Sequence, residues 1–188
     1  MLKHIQEFDK YIAIAGFRKV QIADVDAFLE KAKMVVGESV KVQFFDAGLV
    51  ASWQHLYFAA LNALKAFKNN ENISKSLAVE TLLYASAQRQ IQKATEILGI
   101  KENTGEIAVL LIGENAKQVE KALDAVSKLV GGKRDDKVLE LTQNKIANMR
   151  RVFEVSNAEI EAVADGKTIE ESLIELVIER MALLATAR

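Results

Sequence analysis

Ile107-Ala108-Val109-Leu110-Leu111-Ile112 is apolar at every position, odd and even alike. Successive side chains of a strand point to opposite faces, so a strand that borders water alternates apolar with polar residues. A run apolar on both parities reads as a central strand covered on both sides, and the rest of the chain must supply the covering layers. Tyr11 to Phe17, apolar and closing on a glycine, and Val40 to Phe45, which alternates as a half-buried strand should, are its candidate neighbours. Val152-Phe153-Glu154-Val155 is a weaker fourth strand.

Helical patterns fill the intervals. Asp24 to Val35 follows the first long strand, and Ser52 to Phe67 carries an apolar stripe at Trp53, Tyr57, Ala60, Leu61, Leu64 and Phe67. Asn115 with Gln118, Ser156 with Glu159 and Thr168 with Glu171 stand at capping-box spacing, each marking a helix start. Strands alternating with helices give a mixed α/β (α+β) fold: a small central sheet of about four strands covered by helices, helix-rich overall. The chain has 188 residues, no proline and no Gly/Ser-rich stretch, so residues 1–188 read as one domain.

Composition removes several function classes. With no cysteine and two histidines, disulfides and thiolate sites are excluded and a structural zinc site has no ligand set; no metal or other cofactor is expected. Met1 to Lys10 mixes charges with apolar residues and lacks a signal-peptide core, and every apolar run falls well short of the roughly 20 residues a membrane helix needs. A cytoplasmic protein that does not engage membrane is the expectation. The net charge of -1 creates no field that gathers nucleic acid over the whole surface. Locally the balance shifts: Leu61 to Lys101 holds six basic against three acidic residues, and Val152 to Arg188 three against eight.

An active site is not visible. His4 falls in an N-terminal tail, and His55, beside Trp53 and Phe58, reads as a packed or surface residue rather than a member of a triad. Asp165-Gly166-Lys167-Thr168 lacks the strand and upstream glycine of a phosphate loop, because Glu161 stands where that glycine belongs. Gly131-Gly132-Lys133-Arg134-Asp135-Asp136 reads as a helix stop followed by a turn.

One segment stands apart, from Ser76 to Ile100. Its first part is helical by period, and a new helix starting at Ser86 and ending at Gly99 would bury Ile91, Ala94, Ile97 and Leu98. Such a helix start offers backbone N–H groups to an anion, with Arg89 in its first turn to pair with a phosphate. Tyr84 just before it would offer a face for an unstacked base.

Glu80-x-x-x-Tyr84-x-Ser86-x-x-Arg89-Gln90-Ile91-x-x-Ala94, followed by Gly99-Ile100, resembles the signature of the kinase-binding accessory subunit of the KEOPS (EKC) complex, in its archaeal form. The resemblance extends from a strand near Val42 to Asp46 to a closing helix with Glu179-Arg180-Met181-Ala182-Leu183-Leu184. It implies a non-catalytic protein with two partners: the small atypical kinase of the complex, and transfer RNA, through its single-stranded 3′ end. KEOPS installs threonylcarbamoyl on a tRNA adenosine, so the role implied is in tRNA processing. By position, Tyr84, Ser86, Arg89, Gln90 and Ile91 become candidates for the RNA-end surface, with Lys93 the next basic residue of that segment.

The C-terminal helix, Thr168 to Thr186, is apolar around more than one stripe. Ile174, Val177, Ile178 and Met181 are therefore candidates for the kinase contact, since an interface core needs aliphatic surface. Two rival readings stand beside this one. One is a kinase adaptor that never touches RNA. The other is an enzyme acting on a small anion at the Ser86 helix start, with Glu80 as its acid or base.

Overall fold

The computed structural model describes residues 1–186. In chain order the elements are β1 (Leu2–Ile5), β2 (Lys10–Arg18), α1 (Val25–Val36), β3 (Val40–Asp46), α2 (Trp53–Lys68), α3 (Leu77–Ala85), α4 (Ile91–Leu98), β4 (Glu106–Gly113), α5 (Ala116–Val130), β5 (Lys133–Arg134), α6 (Gln143–Val152), α7 (Asn157–Val163) and α8 (Ile169–Thr186). They form two compact units, and each is assembled from two separate stretches of chain. Met1–Gly48 joins Gly99–Leu139 in the first, and Leu49–Leu98 joins the residues from Glu140 onward in the second.

The first unit is the sheet. Its order is β1-β2-β4-β3 with every neighbour antiparallel, and β5 adds a short pairing to β2 at Phe17 and Arg18. β4 takes the interior position its sequence demands, with Ile107 through Ile112 all buried. On one sheet face Ala13, Ala15, Phe17, Phe44, Val109 and Leu111 pack with Ala32 and Val36 of α1 and Val119, Leu123 and Val126 of α5. Three expected strands are present and two further ones were not foreseen. β1 occupies what reads as a tail: its four residues are too few to show a period, and pairing with β2 (Leu2 opposite Ala13, Ile5 opposite Lys10) is what orders it. His4 there stacks on Tyr11 and hydrogen-bonds Asp9.

Crossing β2 is a 3-10 turn, Asp136–Leu139. The Gly16 N–H donates to the Asp136 carboxylate at 2.9 Å, and the Gly16 carbonyl accepts from the Asp135 N–H at 2.9 Å. The crossing chain therefore lies directly on the strand.

The described part of the second unit is helical. Its core gathers Ala51, Met149, Phe153, Val155, Ile160, Leu173, Leu176 and Val177. The expected strand over 152–155 is absent. Val152 ends α6, Glu154 takes a left-handed φ of 53°, and the Val155 N–H returns to the Arg150 carbonyl. Met149 and Phe153, one helical turn apart, are buried together in this core, so the segment follows the helix period and not the strand period.

Candidate functional site

α3 is anchored at its start by a buried acid. Ser76 caps the helix, and Glu80, one turn in, is fully buried. The Glu80 carboxylate accepts from the backbone N–H groups of Ile73 (3.1 and 3.2 Å) and Ser74 (2.7 Å), fixing the loop that leads into the helix. Both oxygens are committed to amide donors, a geometry that suits a structural carboxylate better than a proton shuttle.

At its other end α3 stops at Ser86, where a helix was expected to begin. Every one of its last carbonyls has a partner. The Ser86 hydroxyl donates to Leu82 and Leu83, the Ala87 N–H to Tyr84, the Gln88 N–H to Leu83, and the His55 ring to Ala85. The bonds of Ala87 and Gln88 form a Schellman turn, with Ala87 at a left-handed φ of 51°. The next helix begins only at Ile91, with the Ala94 N–H reaching the Gln90 carbonyl. Arg89 thus precedes a helix instead of lying in its first turn. The N–H groups of Ala87 and Gln88, which the sequence offered to an anion, are spent on the helix they terminate.

The candidate RNA-end residues consequently divide. Arg89, Gln90, Ile91 and Lys93 are exposed, Ile91 by 48%. Ser86 is buried and occupied, and Tyr84 is only 7% exposed, so no open ring face is available for a base. Burial, with Glu80 acting in the same direction and Arg89 opposing, pushes the Tyr84 phenol above its usual range.

His55 is fully buried. Its Nδ1 accepts the Ala51 N–H at 3.1 Å, its Nε2 donates to the Ala85 carbonyl at 2.7 Å, and its ring meets Phe153 edge-on at 5.7 Å. Desolvation lowers its pKa to about 4, the Ala85 bond opposing. The unfolded chain takes up this proton near pH 6.5, well before the folded one does. Stability is therefore complete above pH 6.5 and falls as the pH drops from 6.5 to 4, by about 3 kcal/mol from this group. Urea midpoints across that range should show the fall, and a His55→Gln chain should lose this component of the slope.

α8 starts at a reciprocal capping box, with the Thr168 N–H on the Glu171 carboxylate and the Glu171 N–H on the Thr168 hydroxyl. Among the four candidates for the kinase contact, Val177 and Met181 are fully buried, so they cannot present open surface. Ile174 and Ile178, one turn apart, are half-buried. Among the described residues, the exposed large apolar residues of the helix are Ile169 and Leu183, which periodicity alone does not separate from the buried set. Arg180 ties α8 down through the carbonyls of Phe153 (3.3 Å) and Glu154 (3.4 Å) and an ion pair with Glu159. The Glu159 carboxyl is held at about 2, chiefly by the Ser156 N–H and then by Arg180.

Among the described residues no group of three His, Asp or Glu is placed to hold a metal, and no helix is long and apolar enough to cross a membrane.

Residues 17–185, spanning both units, match the family model of kinase binding protein CGI-121, and the chain belongs to that family. Over 145 residues it is 31% identical to regulatory protein Cgi121 of Methanocaldococcus jannaschii, an alignment covering 77% of this chain and 83% of the relative.

Proposed function

We propose that this chain is a non-catalytic, cytoplasmic subunit of the KEOPS tRNA-modifying complex, binding its small atypical kinase and holding the 3′ end of tRNA. The observation that carries the RNA half is the turn after α3. It exposes a cation, an amide and an aliphatic side chain, Arg89, Gln90 and Ile91, with Lys93 close behind in α4. Such a cation can pair with a phosphate, and the amide can hydrogen-bond the edge of an unpaired base. The kinase half rests on the family and on α8, where Ile174 and Ile178 offer aliphatic surface backed by buried Val177 and Met181. The mechanism is positional: holding the RNA end raises the effective concentration of the modified adenosine at a separate catalytic subunit.

Labelled intact tRNA, and the same RNA trimmed of its single-stranded end, test the reading. Trimming and Arg89→Glu should each weaken binding about tenfold or more, the value of one charge-assisted contact, and rising salt should weaken it modestly. Equal affinity for intact and trimmed RNA would remove the 3′-end role. The burial of Tyr84 favours a second reading, a protein-only kinase adaptor, because it withdraws the stacking platform the sequence suggested. In that case Arg89→Glu changes no partner affinity.

A further inference from the structure

We propose that His55 is a positioning residue for the turn after α3: its ring, seated on the Ala51 N–H, holds the Ala85 carbonyl and so fixes where the chain leaves the helix and presents Arg89, Gln90 and Ile91. The argument starts from what the segment would do alone. From Leu77 to Leu98 there is no glycine and no proline, and Ala87, Gln88, Arg89 and Gln90 are all good helix formers. Local propensity favours one unbroken helix, in which the Ala85 carbonyl would accept from the Arg89 N–H. Instead the chain breaks, with Ala87 in a left-handed conformation that L-residues with a Cβ disfavour. Something outside the segment must favour the break.

The terminal carbonyls of α3 identify it. Those of Leu82, Leu83 and Tyr84 are satisfied from within the turn, by Ser86, Ala87 and Gln88. The Ala85 carbonyl is bonded from another element, by His55 of α2. The ring cannot turn away without leaving the Ala51 N–H unpaired in a buried site, and Phe153 packs against it in a T-shaped contact. Leucine would fill the space but hold neither group, whereas glutamine can still bring an amide N–H to the same carbonyl.

The RNA consequence of this inference rests on the proposed reading of the turn; the positioning does not. Amide exchange and Cα chemical shifts in the full chain test it in His55→Leu and His55→Gln. In His55→Leu, exchange at Ala87 and Gln88 should speed about tenfold more than at Ile160 and Ser172 of the same unit, the value of one buried hydrogen bond. Shifts of residues 86–90 should move part of the way toward helix, because the segment then interconverts between turn and helix and each interconversion opens the Ala87 and Gln88 bonds, and His55→Gln should restore both. Unchanged protection and shifts at Ala87 and Gln88 in His55→Leu would overturn the proposal. If that variant does not fold, the wild-type ring decides: nitrogen shifts with the proton on Nε2 support the role, and a proton on Nδ1 overturns it. Intact tRNA added to the same variants should bind about tenfold more weakly to His55→Leu and recover with His55→Gln. Should wild type bind no tRNA, the RNA reading fails while the exchange result still decides what His55 does.

Discussion

Gly16→Ala is expected to destabilise the chain by about 3–4 kcal/mol, a cost at the upper end for overpacking a buried site. A Cβ at this position would stand 2.7 Å from the Asp135 carbonyl oxygen and against a Val138 methyl, with the Asp136 Cα at 3.3 Å. Two of these three neighbours are backbone, which cannot move aside as a side-chain tip can. Retreat is blocked as well, because it would break the Gly16 N–H bond to Asp136 and the Asp135 N–H bond to Gly16. The strand cannot yield in the other direction, since it is paired to β4 at Ala108. Gly105→Ala is the control: a Cβ there meets nothing within 4 Å, and the change should stay within about 0.5 kcal/mol. Urea unfolding of the two variants measures the difference, and a Gly16→Ala chain as stable as Gly105→Ala would refute the close crossing.

Glu80→Ala should cost about 3–5 kcal/mol, because it leaves the Ile73 and Ser74 amides without the carboxylate that pairs them. Glu80→Gln should lie between, keeping one acceptor oxygen and losing the charge. Thermal melts and amide exchange at Ile73 and Ser74 are the measurements. The enzyme reading raised by the sequence has its own test: turnover lost in Glu80→Gln would support it, and no turnover on any phosphate or carboxylate substrate would count against it. If Glu80→Ala melts like wild type, the anchoring role is wrong.

The features legible in the sequence are those whose cause is local. A cap is an oxygen reaching an N–H two or three residues on, so Ser52, Asn115, Ser156 and Thr168 mark their helices correctly. The doubly apolar Ile107 to Ile112 announces its interior place in the sheet. What stayed hidden depends on partners distant in sequence. Thirty residues separate His55 from the carbonyl it holds, so nothing near Ser86 says that the helix ends there. Glu154 in a left-handed conformation turns an apparent strand into the end of α6. On α8 the apolar residues are too many to choose among, and only packing shows that Val177 and Met181 face inward while Ile174 and Ile178 stand at the margin. Within the stretch that the sequence marks for an RNA-end surface, it cannot tell Arg89 and Gln90, which are exposed, from Tyr84 and Ser86, which are not.

The division of each unit between two stretches of chain matters most while the protein is being made. β2 leaves the ribosome well before its partner β4, which lies almost ninety residues further on. At a synthesis rate of about 5–20 residues per second, β2 waits roughly 5–20 seconds for it. Throughout that interval Ile12-Ala13-Ile14-Ala15, apolar on both faces, can pair with β1 at Ile12 and Ala13, but its edge toward β4 stays open. The helices of residues 49–98 emerge in the gap, but they belong to the other unit, which waits in turn for α6 to α8. Slowing or speeding translation between residues 50 and 105 should therefore change the soluble yield without changing any residue of the finished fold.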